Sequence, residues 1–150
     1  MTKHILVPTD GSKLSLKAAK AAAALARALK ARITAVYVVE PYMPPMLMEG
    51  QRLRGTIADD RAAFDAASQK VAQAALKKVQ MAAAADRVEF DSLSVTASQP
   101  WEGILDAVKR KKCDMIVMAS HGRGVIAGAL LGSVTAKVLS GSKTPVLVCR

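Results

Sequence analysis

Hydrophobic positions come in two rhythms along this chain, and the rhythms alternate. Ile5-Leu6-Val7 is a short apolar run closed by Pro8-Thr9-Asp10-Gly11-Ser12. That order predicts a strand, a turn and a helix start, with Asp10 or Ser12 as the cap. From Lys13 to Ala31 the apolar residues Leu14, Ala18, Ala22, Leu25 and Leu29 recur at helical spacing. Ile33 to Val39 is β-branched and apolar, a second strand, ending at Glu40-Pro41. A second helical pattern covers Thr56 to Ala84, with Phe64, Ala67, Val71, Ala75 and Val79 as its expected buried side. Val88 to Val95 alternates, with polar residues on one side, which suits a sheet-edge strand. Pro100 opens a third helix to about Lys112, with Trp101, Ile104, Leu105 and Val108 inward. Met115–Ala119, a helix over 133–141 and Pro145–Cys149 complete the series. Strands and helices alternate throughout, so the expected fold is one α/β domain over residues 1–150. Its sheet is open, parallel and five-stranded, with right-handed crossovers and helices on both faces.

Two segments break the rhythm. Tyr42 to Gly50 holds Pro44, Pro45, Met43, Met46 and Met48. Prolines exclude a regular ladder, and methionines make the loop adaptable. It reads as a flap, a partner contact or a loop packed on its own domain. The second segment, 120–132, carries Gly122, Gly124, Gly128 and Gly132 between a strand and a helix. Glycine admits close approach of backbone N–H groups, and a helix start adds free donors and a positive dipole end. No Asp or Glu occurs from Met115 to Arg150. This is a place to hold an anion, phosphate above all.

Composition narrows the chemistry. The net charge of +10 suits anionic ligands, nucleic acid, lipid, or simple solubility. Phe64, Phe90, Trp101, Tyr37 and Tyr42 are the aromatics, too few for stacking along a single strand. Cys113 and Cys149 form no CxxC or Cys/His metal spacing, and read as buried thiols of a reducing compartment. The start of the chain lacks a signal-peptide layout, and no apolar run is long enough to span a membrane, so a cytoplasmic protein is expected. Lys109-Arg110-Lys111-Lys112 reads as a solvated helix end complementing the dipole.

Ligands of parallel sheets bind beyond the C-terminal strand ends, where strand order reverses. The turn 8–12 and the glycine loop are the candidates, and they meet if the first and fourth strands are neighbours. Asp10 could then accept from ribose or base; alternatively it serves only as a cap, and Thr9 and Ser12 share that ambiguity. There is no GxxxxGK[ST]. Gly122-Arg123-Gly124-Val125-Ile126-Ala127 matches GxGxxA, but the acid expected about 20 residues later is missing. The turn lacks the double glycine of adenylating ATP-pyrophosphatases. A Ser-His-Asp triad from Ser120 or Ser133, His121 and Asp10 is poorly served by adjacent Ser120 and His121 on a glycine turn. His4 reads as structural.

Three stretches resemble the universal stress protein family over nearly the whole chain: residues 5–12, residues 114–123, and 130–135 with 145–148. Nucleotide-binding members carry Gly-x-x-Gly, nine residues, then Gly-Ser or Gly-Thr. Gly122 and Gly132-Ser133 match with that gap, while the first glycine is Ala119. The resemblance implies strand order 3-2-1-4-5, a Rossmann-like sheet. It implies that Asp10 and the backbone of Val38 hold adenosine. Gly122, Gly132, Ser133, Val134 and Thr135 would hold ribose and phosphates, with Mg or Mn as a possible companion. Pro8, Thr9, Ala119, Ser120, His121 and Arg123 complete the expected ATP site. The apolar strand 145–149 would be the seam of a homodimer, an arrangement the resemblance shares. Nucleic acid and membrane are not among the expected partners. The alternatives are a member acting through dimer and partner contacts alone, and a slow ATPase.

Overall fold

The computed structural model describes residues 1–44, 54–122 and 131–150, with side chains of the second helix from Asp59 onward. The elements are β1 (His4–Pro8), α1 (Lys13–Leu29), β2 (Arg32–Val39), α2 (Arg54–Ala85), β3 (Phe90–Thr96), α3 (Pro100–Lys111), β4 (Met115–Ala119), α4 (Ser133–Gly141) and β5 (Val146–Cys149). The strands form one parallel sheet in the order β3-β2-β1-β4-β5. The family order is therefore the observed one, and β1 and β4 are neighbours. Pro45 to Gly50, together with Arg123, Gly124 and Gly128, lies outside the described residues.

β1 is buried along its whole length because helices cover both faces. Alternation divides its side chains between two layers. Ile5 and Val7 join Ile33, Val117 and the alanines of α1, with Val79 and Ala83 of α2. Leu6 joins Val36 and Ile116 under Ile104 and Val108 of α3 and Val138 of α4.

Two helices depart from the expected faces. α1 buries Ser15, Ala18, Ala19, Ala22, Ala23 and Ala26, while Leu14, Leu25 and Leu29 are only half-buried at the margin. Alanine lets the helix axis approach the sheet, and the longer leucines fill the flanks. α2 buries Ala72, Ala75, Val79 and Ala83, but Ala67 is exposed and Val71 is 41% exposed. Its 32 residues give about 48 Å of helix, against about 26 Å for the eight-residue β2. The N-terminal half therefore has little sheet to cover. Phe64 instead meets Tyr42, ring centroids 5.3 Å apart.

Candidate functional site

The site begins where β1 ends. The Thr9 N–H donates to Val36 O at 2.9 Å, which keeps the chain tied to β2 one residue past the strand. Gly11 then turns the chain with φ 80°, and its N–H donates to Thr9 Oγ1. This positive φ is the glycine's purpose. Ser12 is the cap of α1, accepting from Ser15 N at 3.1 Å. Asp10 is not the cap; its Oδ1 accepts from Ser12 N at 2.9 Å, a bond that aims the carboxylate. Burial raises the Asp10 pKa, but bonds from the Ser12 hydroxyl and N–H and the Ser15 hydroxyl outweigh it. The carboxyl is held below its ordinary range, hence ionised at neutral pH. From α2, Lys78 Nζ donates to Gly11 O at 3.0 Å and braces the turn.

The facing wall comes from β4 and α4. Ser120 N donates to Cys149 O at 2.7 Å, and Gly132 N donates to Ser120 O at 2.7 Å. Thr135 Oγ1 donates to Ala119 O at 2.9 Å. These bonds set the first turn of α4 against the end of β4. Gly132 is the N-cap, no side chain caps the helix, and its first turn holds no acid. Uncapped N–H groups and a positive dipole end therefore face the cleft.

The motif glycines do a different job from the one their spacing suggests. A Cβ on Gly122 would lie 2.8 Å from Asp10 Oδ2. A Cβ on Gly132 would lie 3.3 Å from both His121 Cα and Ser120 O. Both make room for protein atoms, and neither has a positive φ. Ala119 also avoids positive φ, so the alanine carries no torsional strain there, and only its methyl group in the cleft wall distinguishes it from glycine.

The two walls enclose a cleft of about 400 Å³. Of the expected residues it brings together Pro8, Thr9, Asp10, Val38, Ala119, His121, Gly122, Gly132, Ser133, Val134 and Thr135. Ser120 lies behind the wall, 1% exposed, with Oγ 2.9 Å from His121 Nδ1. A nucleophile so buried cannot reach a substrate, which removes the Ser120 version of the drawn triad. Arg123 lies outside the described residues.

Sequence reading missed Ser15, Val36, Tyr37, Glu40, Pro100, Ile104 and Met118, which also line the cleft. Pro100 and Ile104 were legible in principle, because every helix of such a fold starts at the ligand end of the sheet. Gly103 was missed altogether. A Cβ there would lie 2.8 Å from both Val38 methyls and 3.3 Å from Ala97 Cβ. Its bareness seats α3 on β2 beside Val38.

Residues 1–150 match the universal stress protein family. The chain belongs to that family. A universal stress protein of Methanocaldococcus jannaschii is 33% identical over 150 residues, covering 99% of this chain and 82% of the relative. The universal stress protein UspA of Lactobacillus plantarum shares the fold, with TM-score 0.73 and 24% identity over 99% of this chain and 98% of that one. A universal stress protein solved in complex with cAMP is 28% identical, with TM-score 0.69 over 99% of this chain and 97% of that one. Among the described residues, this universal stress protein has no group of three or more His, Cys, Asp or Glu able to hold a metal. No described helix is long and apolar enough to cross a membrane.

Proposed function

We propose that this universal stress protein binds ATP or a related adenine nucleotide in the cleft, and acts in the cytoplasm as a homodimer whose surface partners read. One observation carries the reading: the uncapped start of α4 opens into the same cleft as the ionised Asp10. A helix N-terminus without acids suits phosphate, and a carboxylate suits hydroxyl or amine donors. A ligand with both chemistries, a nucleotide, satisfies both walls. The relative solved with cAMP supports the same class.

Asp10 and the Val38 backbone would take the adenosine part. Gly122, Gly132, Ser133, Val134 and Thr135 would take ribose and phosphates. Among the described residues Asp10 belongs to no group of three or more His, Cys, Asp or Glu able to hold a metal. Mg or Mn would therefore rest mainly on phosphate oxygens and the Ser133 hydroxyl. For the dimer, the support is β5, an edge of the described sheet with Leu147 44% exposed.

A mass spectrum of small molecules released from the purified protein tests the ligand class directly; an adenine nucleotide is expected. Calorimetry with ATP on Asp10→Ala should show a ten- to hundred-fold loss, on the order of 1.5–3 kcal/mol for a hydrogen bond to a charged group. Unchanged affinity would leave Asp10 only its bond to Ser12. Sedimentation at micromolar concentration should show a dimer, and Val148→Pro should convert it to monomer or aggregate.

A further inference from the structure

All five strands start at the end of the sheet opposite the cleft, and each start carries an exposed cation. In sheet order these are Arg87 before β3, Arg32 opening β2, Lys3 before β1, Lys112 before β4 and Lys143 before β5. None of these five side chains makes an ion pair among the described residues. All but one of the acids at this end are already engaged. Asp86 takes Arg27 at 3.1 Å, Asp91 takes Lys111 at 2.8 Å, and Asp114 accepts from the backbone N–H of Lys3 and His4. Glu89 alone is left without a described partner.

Backbone torsion singles out two of these residues, Arg87 and Lys112, together with Lys30 at the same end. The non-glycine residues with positive φ among the described residues are Lys30, Arg87 and Lys112, at 54°, 55° and 52°. Each follows a helix that ends at this face. Glycine occupies this conformation without steric cost and is the usual choice after a helix. Here all three positions hold a long cation instead. Helix dipoles account for a cation at a helix end. They do not account for Arg32 and Lys3 on the strand starts, nor for the regular placement of one cation per strand.

Strands lie ~4.8 Å apart, so the row extends about 19 Å. Its form complements a linear polyanion. Among the described residues no exposed aromatic side chain lies at this end, Phe90 being half-buried against the core. Base stacking and aromatic anchoring in a membrane are both unsupported, which leaves contact with a phosphate backbone. We propose that the strand-start end of the sheet docks the backbone of duplex nucleic acid without reading its sequence, through Arg87, Arg32, Lys3, Lys112 and Lys143.

The test is fluorescence anisotropy of the full chain with a labelled 20-base-pair DNA duplex of arbitrary sequence. Five phosphate contacts give a slope of log K against log salt near about −4.5. Affinity should fall roughly 500-fold between about 50 and 200 mM salt. The variant carrying Arg32→Gln, Arg87→Gly and Lys112→Gly should show a slope near about −2. Its thermal midpoint should not fall, because glycine relieves the positive φ at two of the three positions. A charge-matched control, Lys13→Gln with Lys17→Gln and Lys20→Gln on α1, should leave duplex binding unchanged. The proposal is overturned by absent duplex binding at low salt, or by an unchanged slope in the row variant. It is equally overturned by an equal loss in the α1 control, or by tighter binding to phosphatidylserine vesicles than to duplex.

Discussion

Three glycines at one end of the sheet and three left-handed residues at the other make a contrast. At the cleft end Gly122, Gly132 and, beneath Val38, Gly103 stand where another atom would collide, and none has a positive φ. At the strand-start end three residues do have positive φ, and they are Lys30, Arg87 and Lys112. Crowding therefore explains those three glycines, whereas Gly11 at the same end is kept for its φ of 80°. At the opposite end the left-handed positions carry charge instead of glycine. Gly122, Gly132 and Gly103 should accordingly tolerate no added atoms, and Lys30, Arg87 and Lys112 should tolerate deletion of a whole side chain.

The largest break in that comparison should come from Gly103→Val. Its Cβ would meet both Val38 methyls at 2.8 Å, and overpacking of this kind costs about 1–3 kcal/mol. Urea unfolding should show that loss, and ATP affinity should fall with the displaced Val38. A variant as stable as the parent would mean that α3 shifts freely. Gly132→Val should come next. It crowds the backbone of His121 and Ser120 and moves the start of α4. ATP affinity is expected to fall about tenfold, and adenosine affinity much less, because in the proposed binding mode only the phosphates would face that helix. A uniform fall in both would point instead to general disruption of the loop.

At the other end Lys30→Gly should stabilise slightly. Relief of the left-handed backbone gives about 1 kcal/mol, partly offset by the freer unfolded chain, for a net gain near ~0.5 kcal/mol. A clear loss in chemical denaturation would show that the side chain, not the torsion, dominates there.

The smallest effect concerns His4, which lies at this end and is 5% exposed. Its Nε2 lies 2.7 Å from Thr34 Oγ1 and its Nδ1 is buried without a described partner. Burial first, and then the charge of Arg32, push its pKa below the ordinary 6.5. The fold thus favours neutral imidazole. Its contribution is complete above about pH 6.5 and is lost as pH falls through the lower folded value. Stability measured from pH 7.5 to 5 should fall less steeply in His4→Gln than in the parent; identical slopes would remove His4 as the cause.

Much of this was legible in one dimension. Alternating rhythms of apolar residues are a local consequence of strand and helix geometry, so element type and order could be read directly. Asp10, the Gly122–Gly132 spacing and the start of α4 were legible because each sits at a strand-to-helix junction. The face of α1 was misread because leucine outweighs alanine in any hydrophobic count, whereas approach to the sheet rewards the smaller side chain. Ala67 and Val71 were misread because periodicity says nothing of where the sheet stops.

By itself, then, the sequence determined an alternating α/β chain, a short turn carrying an acid, and an acid-free helix start after a glycine loop. Tertiary structure alone decided that Gly122 clears Asp10, that Gly103 seats α3 on Val38, and that Ser120 is buried. It also decided that five cations scattered from Lys3 to Lys143 fall into one row. Local torsions and periodicity depend on neighbours in the chain. Clearance, burial and charge alignment depend on atoms that only the packed, parallel sheet brings together.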